Sequence, residues 1–426
     1  MSASVRTLPA ATGGRHPWVW GMLYFPFGLT IGFPSIALGY LAGRAGVPVA
    51  AIAGVVGLTW LASGWKWTWA PLADYTLSRK RWYRIAISLV SIGLVAMAAI
   101  PITPKNMPLL SVIVLLNSIS GTFIAFAVEG LMTHNTHPAA RGRAGGWFQS
   151  GNQFAQTAGG GFGLFLMKHM PAPWMAGVAL AAILWLCSLG LNGLEEPPPH
   201  LQHGSFGARA TDAFRELAGL LKLRLGRIGL LLAILPIGTG AAQGLFGSIA
   251  PEWHASADTV ALVLGLGGGL TIVAGCFAGG WLADRVKKPT AYAIACACSA
   301  VGAILIAFSP RSEWGYAAST LAYTFALGMG AATITAMVLA IIGDTAAATK
   351  INVFFALNTL FSLGMLRTDG WAHDRFSTNW MLFIEAGVGA VCLLLFVVVA
   401  RQIRGEHPPE SGAAAPGHAG DSPAAP

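Results

Sequence analysis

The chain has 426 residues, 55% of them hydrophobic and only 10% charged, with a formal net charge of +9. Soluble domains carry about 25% charged residues, so the composition excludes an ordinary water-soluble fold and points to lipid. The basic residues lie between apolar runs, which excludes a nucleic-acid surface in favour of topology signals and contacts with anionic lipid.

Residues 1–17 carry Arg6 and Arg15 but no apolar core before Pro17, so a cleaved signal peptide is not expected. A bilayer core needs about 20 apolar residues per helix. On that ruler the first six spans fall at 18–41, 48–70, 84–103, 109–133, 145–169 and 174–192. Six more fall at 227–250, 259–281, 289–309, 314–341, 351–369 and 379–401. Between the sets, Pro197, Pro198 and Pro199 stop the sixth helix. Phe214, Leu217, Leu220, Leu221 and Leu225 then recur at helical spacing among Arg209, Arg215, Lys222 and Arg224, as in a helix lying on the membrane surface. From 402 the chain is rich in Pro, Ala and Gly and is expected to be disordered. The expected division is an N-terminal segment (1–17), a six-helix bundle (18–192), a linker (193–226), a second bundle (227–401) and a tail (402–426). The cysteines Cys187, Cys276, Cys296, Cys298 and Cys392 all lie within apolar runs and read as packing residues.

With the N terminus inside, nineteen basic residues fall on the cytoplasmic side and six on the other. The positive-inside rule then puts both termini in the cytoplasm, which requires an even number of helices. An internal repeat supports two halves. Leu72-Ala73-Asp74 with Arg79, Lys80 and Arg81 follows the second span, and Leu282-Ala283-Asp284 with Arg285, Lys287 and Lys288 follows the eighth. Two parallel six-helix halves with this acid–base loop in each resemble the major facilitator superfamily. The expected fold is therefore all-α integral membrane, with twelve transmembrane helices in two six-helix bundles. The loops are expected to gate, each carboxylate capping a helix or pairing with Arg.

An ionisable residue inside a span costs several kcal/mol and needs a reason. Glu129, in the fourth span, either pairs with Arg141, Arg143 or Lys66, or is a buried carboxyl that couples protons or gates the substrate. Glu385, two turns into the last span, is a second proton-coupling candidate, expected to meet periplasmic water or Arg375. Arg367 and Asp369 are expected at the periplasmic end of the eleventh span, as a local pair or an anion trap, and Asp344 as a cytoplasmic loop charge. Lys66, among Trp65, Trp67 and Trp69, either snorkels in an aromatic belt or faces a cavity and attracts carboxylates or phosphates. Gln149, Asn152, Gln153 and Gln156 share one face of the fifth helix. With Gln243 and Asn358 they are candidates to line a wet cavity, the alternative being amides that join helices. The runs Gly159-Gly160-Gly161 and Gly267-Gly268-Gly269 lack the Lys-Ser/Thr of a phosphate loop and read as close-packing sites. No metal-ligand or hydrolytic constellation stands out, so neither an enzyme nor a cofactor is expected.

The stretch KWTWAPLADY (66–75), with Arg79-Lys80-Arg81-Trp82 after it, is similar to the AmpG-like muropeptide permeases and the peptide–acetyl-CoA transporter branch. Lys66, Trp69, Pro71, Leu72 and Asp74 match that pattern. Glu129, Arg141-Gly142 and GMLYFPFGLTIGFP also resemble it, the match being clearest over 18–165. Tyr75 departs from it, where a basic residue is usual. The resemblance implies proton-coupled import of an anhydro-sugar muropeptide. The expectation is a monomeric secondary transporter of the inner membrane, whose partners are a small solute, protons and the bilayer, with no nucleic acid. Siderophore or other metabolite uptake and export are the alternatives within transport; a non-transporting membrane sensor or enzyme is the alternative outside it.

Overall fold

The computed structural model describes residues 16–66, 69, 72, 76–136, 141–196, 235, 240–342 and 347–405. Among these residues every regular element is helical. The first half contains α1 (Trp18–Arg44) and α2 (Val49–Trp65). It continues with α3 (Arg79–Ala99), α4 (Met107–Asn135), α5 (Arg141–Phe154, prolonged by Ala155–Gly159 and Gly160–His169) and α6 (Pro173–Ser188). In the second half, α7 is a run of short helical turns, Ala241–Leu245, Phe246–Ile249 and Ala250–Trp253. It is followed by α8 (Ala257–Arg285), α9 (Lys288–Phe308), α10 (Glu313–Ile342), α11 (Ala347–Arg375) and α12 (Thr378–Gly405). Among the described residues, eight helices are long and apolar enough to cross a membrane, and α2 is a shorter apolar helix. These elements are consistent with twelve spans. The expected seventh span from 227, the surface helix near 208–225, Asp74 and Asp344 lie outside the described residues or largely so.

Local chemistry sets the ends. Ser78 caps α3 by accepting from Arg81 N–H at 3.4 Å, and Ser256 caps α8 by accepting from Thr259 N–H at 3.2 Å. Proline opens α6 at Pro173, where a missing N–H costs nothing. The outward faces carry large apolar side chains such as Phe277 (77% exposed) and Ile92 (66%), which suits lipid and not water.

The halves meet through two matching helix pairs, α2 with α11 and α5 with α8, and through α1 with α7. Adding six to α2 and α5 gives α8 and α11, so the two pairs are related as the sequence repeat requires. Glycine makes α1 and α5 a backbone-to-backbone contact: a Cβ on Gly32 would lie 2.1 Å from the Gln156 carbonyl. The α5–α8 crossing is equally close, a Cβ on Gly161 falling 2.4 Å from the Ala261 carbonyl. The glycine run at 159–161 is thus a packing device. Three π-helical stretches, Phe33–Leu38, Ala155–Gly159 and Ala261–Gly267, lie on the helices that form these contacts.

Two ends can be told apart by their contacts. At the end here called the near face, Lys80 Nζ donates to the Leu194 carbonyl at 2.6 Å and Asn135 Nδ2 to the Glu195 carbonyl at 2.9 Å. At the opposite, far face, hydrogen bonds cross between the halves. The Asp374 carboxylate of α11 accepts from Val49 N–H at 2.9 Å and Ala50 N–H at 2.8 Å, capping α2. Tyr40 O–H donates to the Ala255 carbonyl at 3.3 Å, and Lys168 pairs with Asp258. The halves are closed against each other at this end.

Candidate functional site

Towards the near face, α1, α2, α4 and α5 bring together one cation, one carboxylate and a group of rings. Lys66 ends α2, and its Nζ lies 3.2 Å from Glu129 Oε1 on α4. Their side chains keep 25% and 36% exposure. Of the two readings for Glu129, the structure shows the paired one and not the buried one: it sits six residues from the end of α4, on the side facing Lys66, and is partly open. Of its expected partners Lys66 is the one in contact; the side chains of Arg141 and Arg143 are outside the description. Lys66 does not simply snorkel, because the pair orients it across to α4.

Aromatic groups surround the pair. The Phe126 ring is 5.9 Å from Lys66 Nζ, and Trp69 Nε1–H donates to Thr122 Oγ1 at 2.8 Å. Tyr24 of α1, within electrostatic reach of Glu129, stacks on Phe148 of α5 with centroids 3.6 Å apart. Tyr24 and Phe148 carry no signal in the sequence, where aromatic residues in a span are unremarkable. Arg79 reaches the same turn of α4, its guanidinium donating to the Phe126 carbonyl at 3.4 Å. Of the other loop residues, Lys80 binds Leu194, Arg81 lies in the capped first turn of α3, Asp284 is exposed, and Arg285 stacks over Trp281 at 4.2 Å. Lys287 and Lys288 open α9.

The amide face of α5 is split by its depth against α1. Gln149 is exposed, whereas Asn152 is buried. Gln156 Nε2 donates to Asn152 Oδ1 at 3.1 Å and to Gln153 Oε1 at 3.2 Å. Three of the four amides thus bond one another within α5. Gln243 and Asn358 lie half-buried on α7 and α11.

A second cluster occupies the other half. Tyr323 O–H of α10 donates to Glu385 Oε1 of α12 at 2.6 Å, and Ala242 N–H of α7 points at the same oxygen from 3.4 Å. Glu385 thus meets neither far-face water nor Arg375, the contacts expected for it, because α7 and α10 close over it. Asp369 is fully buried. Its expected place at a helix end, paired with Arg367, is also corrected. The helix α11 runs six residues further, to Arg375, and residues two apart on a helix face opposite ways, leaving Arg367 exposed. Tyr323 is a residue the sequence pattern did not mark, whereas Asp369 was marked only as a helix-end charge.

Paired halves, a far side latched shut and a charge pair towards the near side are the anatomy of a membrane carrier. The sequence matches the Major Facilitator Superfamily over residues 20–366 and again over 228–426. The chain belongs to the Major Facilitator Superfamily. The search of curated proteins gave no match. Among solved structures, the nucleoside transporter NupG aligns with a TM-score of 0.68 at 15% identity, covering 90% of this chain and 98% of that one. A D-xylose–proton symporter aligns with a TM-score of 0.69 at 15% identity, covering 89% and 96%. A POT family transporter in complex with a thioalcohol-conjugated peptide gives 0.67 at 10% identity, covering 91% and 96%. At these identities the likeness shows the fold. The protein is a multi-pass membrane transporter of this superfamily.

Proposed function

We propose that the protein is a proton-coupled importer of the inner membrane, with both termini cytoplasmic, and that its solute is polar and anionic, of the muropeptide kind. The observation that carries this reading is the Lys66–Glu129 pair at 3.2 Å, partly open and ringed by Tyr24, Phe126 and Phe148. A solute carboxylate or phosphate competing for Lys66 displaces Glu129, and the freed carboxylate then takes a proton, so solute and proton are bound together. Aromatic faces beside a cation suit a sugar ring bearing an acidic group. The KWTWAPLADY resemblance supports the same solute class, and the basic residues on the near side support a cytoplasmic near face. Under this reading the far face is periplasmic, and Gln149, Gln153, Gln243 and Asn358 are further solute contacts. The loops with Arg79, Lys80 and Arg81 and with Asp284, Arg285, Lys287 and Lys288 gate the near side.

The test is uptake of labelled anhydromuropeptide and a panel of siderophores into proteoliposomes under an inward proton gradient. Gradient-driven accumulation of the muropeptide is expected. Glu129→Gln is expected to abolish uphill accumulation but spare counterflow exchange. Accumulation at the wild-type level in that variant would remove Glu129 from coupling, and preference for a siderophore would replace the solute class.

A further inference from the structure

The second half holds a pair of carboxyls that the near-face site does not touch. Asp369 is 0% exposed and Glu385 9%. Glu385 Oε1 is occupied by the Tyr323 O–H and faced by the Ala242 N–H. Among the described residues, Glu385 Oε2 and both Asp369 oxygens have no hydrogen-bond partner. Asp369 lies within electrostatic reach of Glu385 and of Tyr323. Counting residues from Arg375 and Thr378, both carboxyls sit about 10 Å below the far end of their helices at 1.5 Å per residue.

No neighbouring element supplies a described cation. The groups facing the pair are Tyr323 from α10 and the Ala242 N–H from α7. Thr320 and Thr324 on α10 spend their hydroxyls on their own helix, at the carbonyls of Tyr316 and Thr320. The helix α2 packs Ala53 against Gly370. Along α11 the next titratable group on this face is His373, one turn towards the far face. Its ring nitrogens lie 2.7 Å from Glu252 and 3.0 Å from Asp374. Two ionised carboxylates at this depth, without a cation, repel each other and lose their hydration. One proton on the pair removes a charge and with it the repulsion.

We infer that Asp369 and Glu385 form a one-proton site, steadied by Tyr323, in which a proton bound from water neutralises one of the two carboxyls. That this is the coupling proton rests on the proton-driven reading above; that the pair holds a proton does not. A sodium ion fits less well, because the hydrogens of Tyr323 and Ala242 already face Glu385 Oε1.

The test is infrared difference spectroscopy of the purified, full-length protein in lipid between acidic and alkaline pH, following the C=O stretch of protonated carboxyls. The wild type is expected to show a band that Asp369→Asn and Glu385→Gln each remove, that Tyr323→Phe shifts, and that Glu129→Gln leaves in place. Tyr323→Phe keeps both acids, so it reports even where an acid variant fails to fold. A band that survives in both acid variants, or is unmoved by Tyr323→Phe, overturns the site. Loss of the band in Glu129→Gln assigns the proton to the near-face pair instead. A band erased by sodium at constant pH makes the pair a cation site and overturns the proton. Should the uptake panel fail while the band behaves as expected, the solute reading falls and the proton site stands.

Discussion

Glu252 shows how neighbours decide a side chain's charge at the far face. Burial pushes its carboxyl up, but hydrogen bonds from His373 and Thr378, with the charges of His373 and Arg311, outweigh this and hold it below its ordinary 4.5. Both ring nitrogens of His373 face carboxylate oxygens, an arrangement that the doubly protonated imidazolium satisfies. A carboxyl lowered in the folded state contributes stability that is complete above its unfolded value and is lost as the pH falls through the folded one. The melting temperature of the wild type is therefore expected to drop as the pH falls below about 4.5, and Glu252→Gln to flatten that drop. Equal acid sensitivity in both proteins would show that Glu252 takes no part. At this scale the sequence marks Glu129, Lys66 and Glu385, because a charge in an apolar run is conspicuous. It places Asp369 at a helix end rather than inside the fold, because the polar run around Arg367 hides the continuation of α11.

At the scale of elements, close approach governs the helices. Gly32 on α1 faces the Gln156 carbonyl on α5 so closely that no side chain fits. Gly54 on α2 has nothing within 4 Å of an added Cβ. Gly32→Val is expected to cut the yield of folded, monodisperse protein severely by overpacking, whereas Gly54→Ala changes stability by no more than about 1 kcal/mol. Size-exclusion chromatography and thermal unfolding compare the two. Normal yield and stability in Gly32→Val would mean that α1 and α5 separate readily, against the packing described. The glycine runs were legible as packing sites from their apolar surroundings. Which helix each one meets was not, because the partners are distant in sequence: Gly161 meets Gly265 and Ala261.

For the whole molecule, the far side is closed by contacts that link the halves: Asp374 to the α2 N terminus, Lys168 to Asp258, and Tyr40 to the Ala255 carbonyl. Transport by rocking halves requires these contacts to break. A reducible bis-methanethiosulfonate cross-link between Lys168→Cys and Asp258→Cys is expected to stop uptake, with recovery on reduction. Full transport by the cross-linked protein would mean that this interface does not open. Two six-helix halves were readable from hydropathy, because lipid demands about 20 apolar residues per crossing and the acid–base loop recurs. The span ends were least readable where polar residues stay inside a helix, as in α11.

The sequence by itself determined that the chain is helical and lies in a membrane, which residues are ionisable inside spans, and that the two halves repeat. These follow from local chemistry, since each apolar run must satisfy its own backbone hydrogen bonds in lipid. Only the tertiary structure decided partners. Lys66 is 63 residues from Glu129, Tyr323 is 62 from Glu385, and Asp374 is 324 from Ala50. A side chain's charge state and role depend on what stands opposite it, and helix packing sets that across distances no local pattern records.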